Sequence, residues 1–96
     1  MQDDKEILVA TLYKFVEVGD LNTLQDQLYS ICNKNKVMGT ILIADEGVNG
    51  TISAEPKNLK KALISIQKDN RLSNIEIKYS STDKQPFHRM KVRLKK

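Results

Sequence analysis

Apolar and polar positions change their period several times along this chain. Residues 7–16, Ile-Leu-Val-Ala-Thr-Leu-Tyr-Lys-Phe-Val, are apolar on both parities and rich in β-branched and aromatic types. That predicts a central strand covered on much of both faces. Gly19-Asp20 punctuates it, with Asp20 as the expected N-cap of a helix. Leu21, Leu24, Leu28, Ile31 and Cys32 then recur at helical spacing to about residue 33. Asn33-Lys34-Asn35-Lys36 is a polar break, and Val37–Ala44 is a second apolar run in which Gly39 permits close backbone approach. Asp45–Gly50 is expected to be a turn, because Asn49-Gly50 is a strong hairpin signal. A third strand covers Thr51–Ala54, starting as early as Val48. Pro56 opens a second helix whose buried stripe is Leu59, Ala62, Leu63 and Ile66. Ile75, Ile77 and Tyr79 alternate with Glu76 and Lys78 in a fourth strand. Met90, Val92 and Leu94 alternate with Arg89, Lys91, Arg93 and Lys95 in a fifth.

The order is β-α-β-β-α-β plus one C-terminal strand. A hairpin between two helical crossovers is the split-βαβ, ferredoxin-like arrangement, an α+β sandwich with an antiparallel sheet and both helices on one face. The length allows one domain with a modest core. The chain stops directly after a basic strand, as expected of a domain belonging to a longer protein.

Charge sharpens this picture. The net charge is +4, yet residues 84–96 hold six basic side chains and no carboxylate. An excess gathered at one end favours an anionic partner, nucleic acid above all. No apolar run is long enough to cross a bilayer, and the opening Met-Gln-Asp-Asp-Lys-Glu is too acidic for a signal peptide. One cysteine allows no internal disulfide and fits a cytoplasmic setting. With a single histidine beside it, no sulfur–imidazole metal cluster is expected, and nothing calls for a cofactor.

Candidate chemistry is sparse. Cys32 shares the helix stripe with Leu28 and Ile31 and reads as a small buried hydrophobe, because reactivity needs exposure and a nearby positive charge. His88 shares parity with Met90 and Val92, and reads as a partly buried ring, a phosphate or base contact, or a general base. Ser80, Ser81 and Asp83 have no spacing that supports a triad with it. In the expected turn, Glu46, Gly47, Asn49 and Gly50 suit an anion-binding nest, an interdomain contact or a plain hairpin. The fifth strand has the clearest pattern. Arg89, Lys91, Arg93 and Lys95 fall on one parity at roughly 6.6–7 Å intervals. With His88 they are the RNA-binding candidates, against the alternative of an edge strand guarded by lysine. Tyr13, Phe15, Tyr79 and Phe87 could stack on bases, but no RNP motif accompanies them and most are expected in the core.

Several stretches resemble the rhodanese-domain tRNA uridine(34) hydroxylases. They are Tyr13-Lys14-Phe15-Val16, Asp20-Leu21 with Leu24, Leu28 and Cys32, and above all Gly39-Thr40-Ile41-Leu42-Ile43-Ala44-Asp45-Glu46-Gly47-Val48-Asn49-Gly50-Thr51-Ile52. Lys78-Tyr79-Ser80 and Pro86–Lys95 resemble later strands of that family, so the likeness covers about residues 12–96. The resemblance implies an acylphosphatase-like N-terminal domain followed by a rhodanese domain that carries the essential cysteine. It also implies an oxygen-dependent 5-hydroxylation of the tRNA wobble uridine by the whole protein. Cys32 does not correspond to that cysteine, so the resemblance supplies no catalytic residue here. Residues 1–96 are then a single N-terminal domain whose expected partners are tRNA and the downstream domain of the same chain. Acylphosphatases hold phosphate with a Gly-rich loop and an arginine between the first strand and first helix. Here that place reads Glu17-Val18-Gly19-Asp20, whose carboxylates would repel an anion. The function expected is an accessory domain that binds or orients tRNA, with a structural packing module as the alternative and acyl phosphate hydrolysis as a third reading.

Overall fold

In a computed structural model that describes residues 6–95, the chain forms five strands and two α-helices. The acidic opening residues and Lys96 lie outside that range. The strands are β1 (Ile7–Phe15), β2 (Met38–Ala44), β3 (Gly47–Ala54), β4 (Glu76–Thr82) and β5 (Met90–Leu94). The helices are α1 (Leu21–Lys34) and α2 (Pro56–Ile66), and a short 3-10 turn spans Asn70–Leu72. The sheet order is β4-β1-β3-β2-β5. Four strands alternate antiparallel, while β5 runs parallel to β2. The expected α+β, ferredoxin-like sandwich is present, but its sheet is mixed rather than wholly antiparallel. β4 ends at the same end of the sheet at which β2 begins, so a strand entering there beside β2 must run with it.

Both helices cover one face. Leu24, Leu28 and Cys32 of α1 and Leu59, Ala62, Leu63 and Ile66 of α2 are buried against Ala10, Leu12, Ile41, Ile43, Val48 and Ile52 of the sheet. Asp20 caps α1 as expected, with its carboxylate accepting from the Thr23 N–H at 3.1 Å and the Thr23 hydroxyl at 2.7 Å. Pro56 occupies the first turn of α2. The Cys32 thiol is fully buried, and desolvation pushes its pKa up to about 12, so it stays a protonated apolar filler. Leu72, on the 3-10 turn, joins the core although it belongs to neither helical stripe.

Two sequence expectations need correction. The connection from β2 to β3 is only Asp45-Glu46, and Ala44 pairs with Gly47. Asn49 and Gly50 are therefore not in the turn. Asn49 lies between Tyr13 and Leu42, and Gly50 between Leu12 and Ile41, inside the central strand. Second, the C-terminal half of β1 is covered on one face only. Its other parity leaves Tyr13 at 43% and Phe15 at 71% exposure, because no second layer packs there. Tyr79 is also exposed, since β4 is an edge that the helices do not reach.

Gly39 shows why β2 tolerates so little. Its φ of +136° disfavours any L side chain, and an added Cβ would lie 2.2 Å from the Thr51 carbonyl oxygen of β3. Its own N–H donates to the Arg89 carbonyl at 3.0 Å, so the residue joins β3 to β5 through β2.

The connection from β1 to α1 is held from two sides. The Val16 and Val18 N–H groups donate to the Glu46 and Asp45 carbonyls at 3.0 Å each. Arg71 donates from Nη1 to the Val18 carbonyl at 2.8 Å, while its Nε and Nη2 grip Asp69 at 2.9 and 2.7 Å. Gln27 of α1 also donates to Asp69 at 3.2 Å. These bonds, led by that from Arg71, hold the Asp69 carboxyl at about 2, below its ordinary 3.8. A carboxyl depressed on folding stabilises the native state above its unfolded pKa, and that support is lost as pH falls through the folded value.

Two outcomes are expected. Gly39→Ala lowers stability by about 2–4 kcal/mol through backbone strain and overpacking, read as a fall in Tm of roughly 10–25 °C. In chemical denaturation between pH 5 and 2, wild type loses on the order of 1 kcal/mol more than Asp69→Asn, after discounting for solvent screening. Equal acid sensitivity of the two proteins would contradict the assigned role of the Asp69 carboxylate.

Candidate functional site

The strand register decides which charges share a surface. On the face away from the helices, Thr11, Thr51 and Thr40 lie side by side across β1, β3 and β2, with Lys78 on β4 and Lys91 on β5 at the two ends. The next row reads Glu76, Tyr13, Asn49, Leu42 and Arg93. Arg89 and Lys95 continue the parity of Lys91 and Arg93 just outside β5. Arg89, Arg93 and Lys95 are exposed, and Lys91 is half-buried. The four basic residues singled out from sequence thus form one border of an uncovered sheet face.

His88 has the opposite parity and is exposed rather than partly buried. It opens onto a cleft of about 720 Å³ beside the C-terminal end of α1, which it lines together with Arg89 and Lys91 and with Tyr29, Asn33 and Lys36. The Glu46–Gly50 group is dispersed too. Glu46 is an exposed tip residue, whereas Gly47, Asn49 and Gly50 are ladder residues of β3. Glycines committed to a central strand do not turn successive N–H groups toward an anion.

The open face is shaped at both ends. Tyr13 and Phe15 meet edge to face, with centroids 5.0 Å apart and planes at 72°. At the other end, residues 83–89 must carry the chain from one edge of the sheet to the other. Four strand spacings amount to roughly 19 Å, and the eight Cα steps from Thr82 to Met90 reach about 26–29 Å at full extension, so this connection can cross the sheet with slack for its bends at 83–84 and 88–89. Gln85 pins it down by bonding the fully buried Ser53 hydroxyl and donating from Nε2 to the Ser53 carbonyl at 3.3 Å. Its Oε1 also accepts from the Phe87 N–H at 3.2 Å. Between these borders lies a shallow depression of about 440 Å³ bounded by Tyr13, Asn49, Thr11, Thr51, Glu76 and Lys78.

The sequence reading did not single out the threonine row, Lys78 or the Ser53–Gln85 anchor. Counting parity from the buried Ala10 and Leu12 would have turned Thr11, Tyr13 and Phe15 outward. The Ser53–Gln85 contact has no local signal, since it joins residues 32 apart.

Chemically the surface can bind an anion along β5 and planar or polar groups at its centre. Among the described residues, no three or more His, Cys, Asp or Glu side chains converge as a metal site. No helix there is long and apolar enough to cross a membrane. The β1–α1 connection is poorly suited to phosphate. Two of its N–H groups are spent on the hairpin carbonyls, and the nearby arginine is committed to Asp69 and Val18.

Comparison with known proteins places these observations. The chain is 45% identical over 91 residues to the tRNA uridine(34) hydroxylase of Acaryochloris marina, covering 95% of this chain and 29% of that protein. It is 41% identical over 93 residues to the protein of the same name from Bartonella quintana, covering 97% of this chain and 31% of the other. It therefore spans about a third of the length of these curated relatives. Among solved structures, the BLUF protein BlrB in its dark state superposes with a TM-score of 0.72 at 14% identity, covering 95% of this chain and 75% of that one. The acylphosphatase from Bacillus subtilis gives 0.63 at 11% identity, covering 91% and 97%. Those two share the fold alone. Residues 7–96 match the family described as the UPF0176 acylphosphatase like domain, and the chain belongs to that family.

Proposed function

We propose that this chain is the N-terminal accessory domain of a tRNA-modifying oxidoreductase, and that it binds or orients tRNA while a downstream rhodanese domain carries the oxygen-dependent hydroxylation of the wobble uridine. The observation behind this reading is the basic border of the open face: Arg89, Lys91, Arg93 and Lys95 on one parity, with no carboxylate on β5. Relatives named for a tRNA substrate supply the anion that such a border suits. One contact weighs against reading the border as an edge guarded by lysine alone. Gln25 of α1 already donates to the outward Val92 carbonyl at 2.7 Å, so part of the strand edge is occupied without any charge.

A second reading is a packing module for the downstream domain. It is favoured by the hairpin tip and the exposed Phe15, which lie at the end of the sheet where β5 finishes. On that reading the isolated chain binds no RNA, and binding belongs to the longer protein only.

Titration of tRNA tests the first reading. With about four phosphate contacts, affinity should fall on the order of 50-fold between 50 and 200 mM salt. The Lys91→Glu/Arg93→Glu/Lys95→Glu variant should bind far more weakly and with a flatter salt dependence. Equal binding by that variant would remove β5 from the RNA surface. With an acyl phosphate substrate no turnover is expected, because the β1–α1 connection offers neither a free arginine nor an open row of N–H donors. Hydrolysis above the spontaneous rate would contradict that.

A further inference from the structure

The uncovered sheet face has features that a purely electrostatic docking surface does not need. Phe15 is 71% exposed and Tyr13 43%, although aromatic side chains normally recover their hydration cost by burial. They share one face of β1, and their rings stand at 72° with centroids 5.0 Å apart. Such a corner fits one flat ring, stacked on one aromatic with its edge against the other. Toward β3 and β2 the surface beside it is polar and uncharged. Asn49, Thr11, Thr51 and Thr40 are presented there, and among the described residues no side-chain hydrogen bond engages them.

Charge then gives the direction. Tyr13, Asn49, Leu42 and Arg93 occupy one row across four strands, which puts Arg93 roughly 14 Å from the Tyr13 backbone. On the opposite side of Tyr13, Glu76 offsets Lys78 on the same strand, whereas β5 carries Lys91 and Arg93 with no carboxylate, so phosphate is drawn toward β5. A base in the aromatic corner with its backbone leading to β5 satisfies both.

We propose that the open face is a reader of unpaired nucleotides: a splayed base packs into the Tyr13–Phe15 corner, its polar edge meets Asn49 and the threonine row, and its phosphates run to Lys91 and Arg93. This rests on the RNA-binding reading above and goes beyond it by naming single-stranded rather than duplex RNA. A paired base cannot reach the corner, because its faces are occupied by its neighbours. Moreover, the major groove of an A-form RNA duplex is too deep and narrow for side chains on a sheet face to read its bases. Stacking also tolerates any base, so the corner selects for strand state rather than sequence.

The test uses the 96-residue chain with a short fluorescein-labelled oligouridylate, and the same strand annealed to its complement. Single-stranded probe should bind more tightly than duplex. The Tyr13→Ala/Phe15→Ala variant should lose about 5- to 150-fold in affinity for the single strand, the worth of one stacked base, with its salt slope unchanged. Phe15→Trp should retain binding and Phe15→Leu should not, which separates stacking from mere apolar contact. Both positions are exposed, so thermal melting should confirm that the variants stay folded. Equal affinity of wild type and Tyr13→Ala/Phe15→Ala overturns the proposal, as does equal binding of duplex. If the charge-reversed β5 variant nevertheless loses tRNA, the broader reading survives and the corner becomes a protein contact. Failure of wild type to bind any RNA overturns both.

Discussion

Helices cover only one face of this sheet, and most other properties follow from that. Two helices of fourteen and eleven residues can roof a single side of five strands, so alternation along each strand becomes a division of labour. One parity supplies Ala10, Leu12, Ile41, Ile43, Ile52 and Val92 to the core. The other is free to carry Thr11, Tyr13, Thr40, Asn49 and Arg93 without any cost in core packing. A slip of one residue in any strand would exchange the two sets.

The two sheet edges are managed differently. β5 is tied to β2 by a parallel ladder, is met on its outer side by Gln25, and carries cations on its open face. β4 is left with mostly polar, exposed side chains. The connection between these edges is fixed to β3 by the Ser53–Gln85 anchor before it enters β5.

Likeness to acylphosphatases is a likeness of fold alone, and the β1–α1 connection offers no open anion cradle. In this chain the same stretch is zipped to the β2–β3 hairpin and clamped by Arg71. The hydrogen-bonding groups that would define an anion cradle are consumed as structure. The open sheet face differs, since Thr11, Thr40, Asn49 and Thr51 make no side-chain hydrogen bond among the described residues.

Local pattern determined much of this protein. The helical stripes, the Asp20 cap, Pro56 at the start of α2 and the alternating basic strand all rest on periodicities that need no distant partner. Asn49-Gly50 misled, because a dipeptide suited to a tight turn is equally at home in a central strand that needs close backbone approach. Tyr13 and Phe15 misled for a related reason, since an apolar run does not say how many layers will cover it. What only tertiary structure decided was the sharing of faces between strands far apart in sequence, which set Lys78, the threonine row and the ring corner beside Lys91 and Arg93. Register and layering are long-range properties. The alternation of each strand supplies two faces, and only the packing of the whole chain chooses which of them meets water.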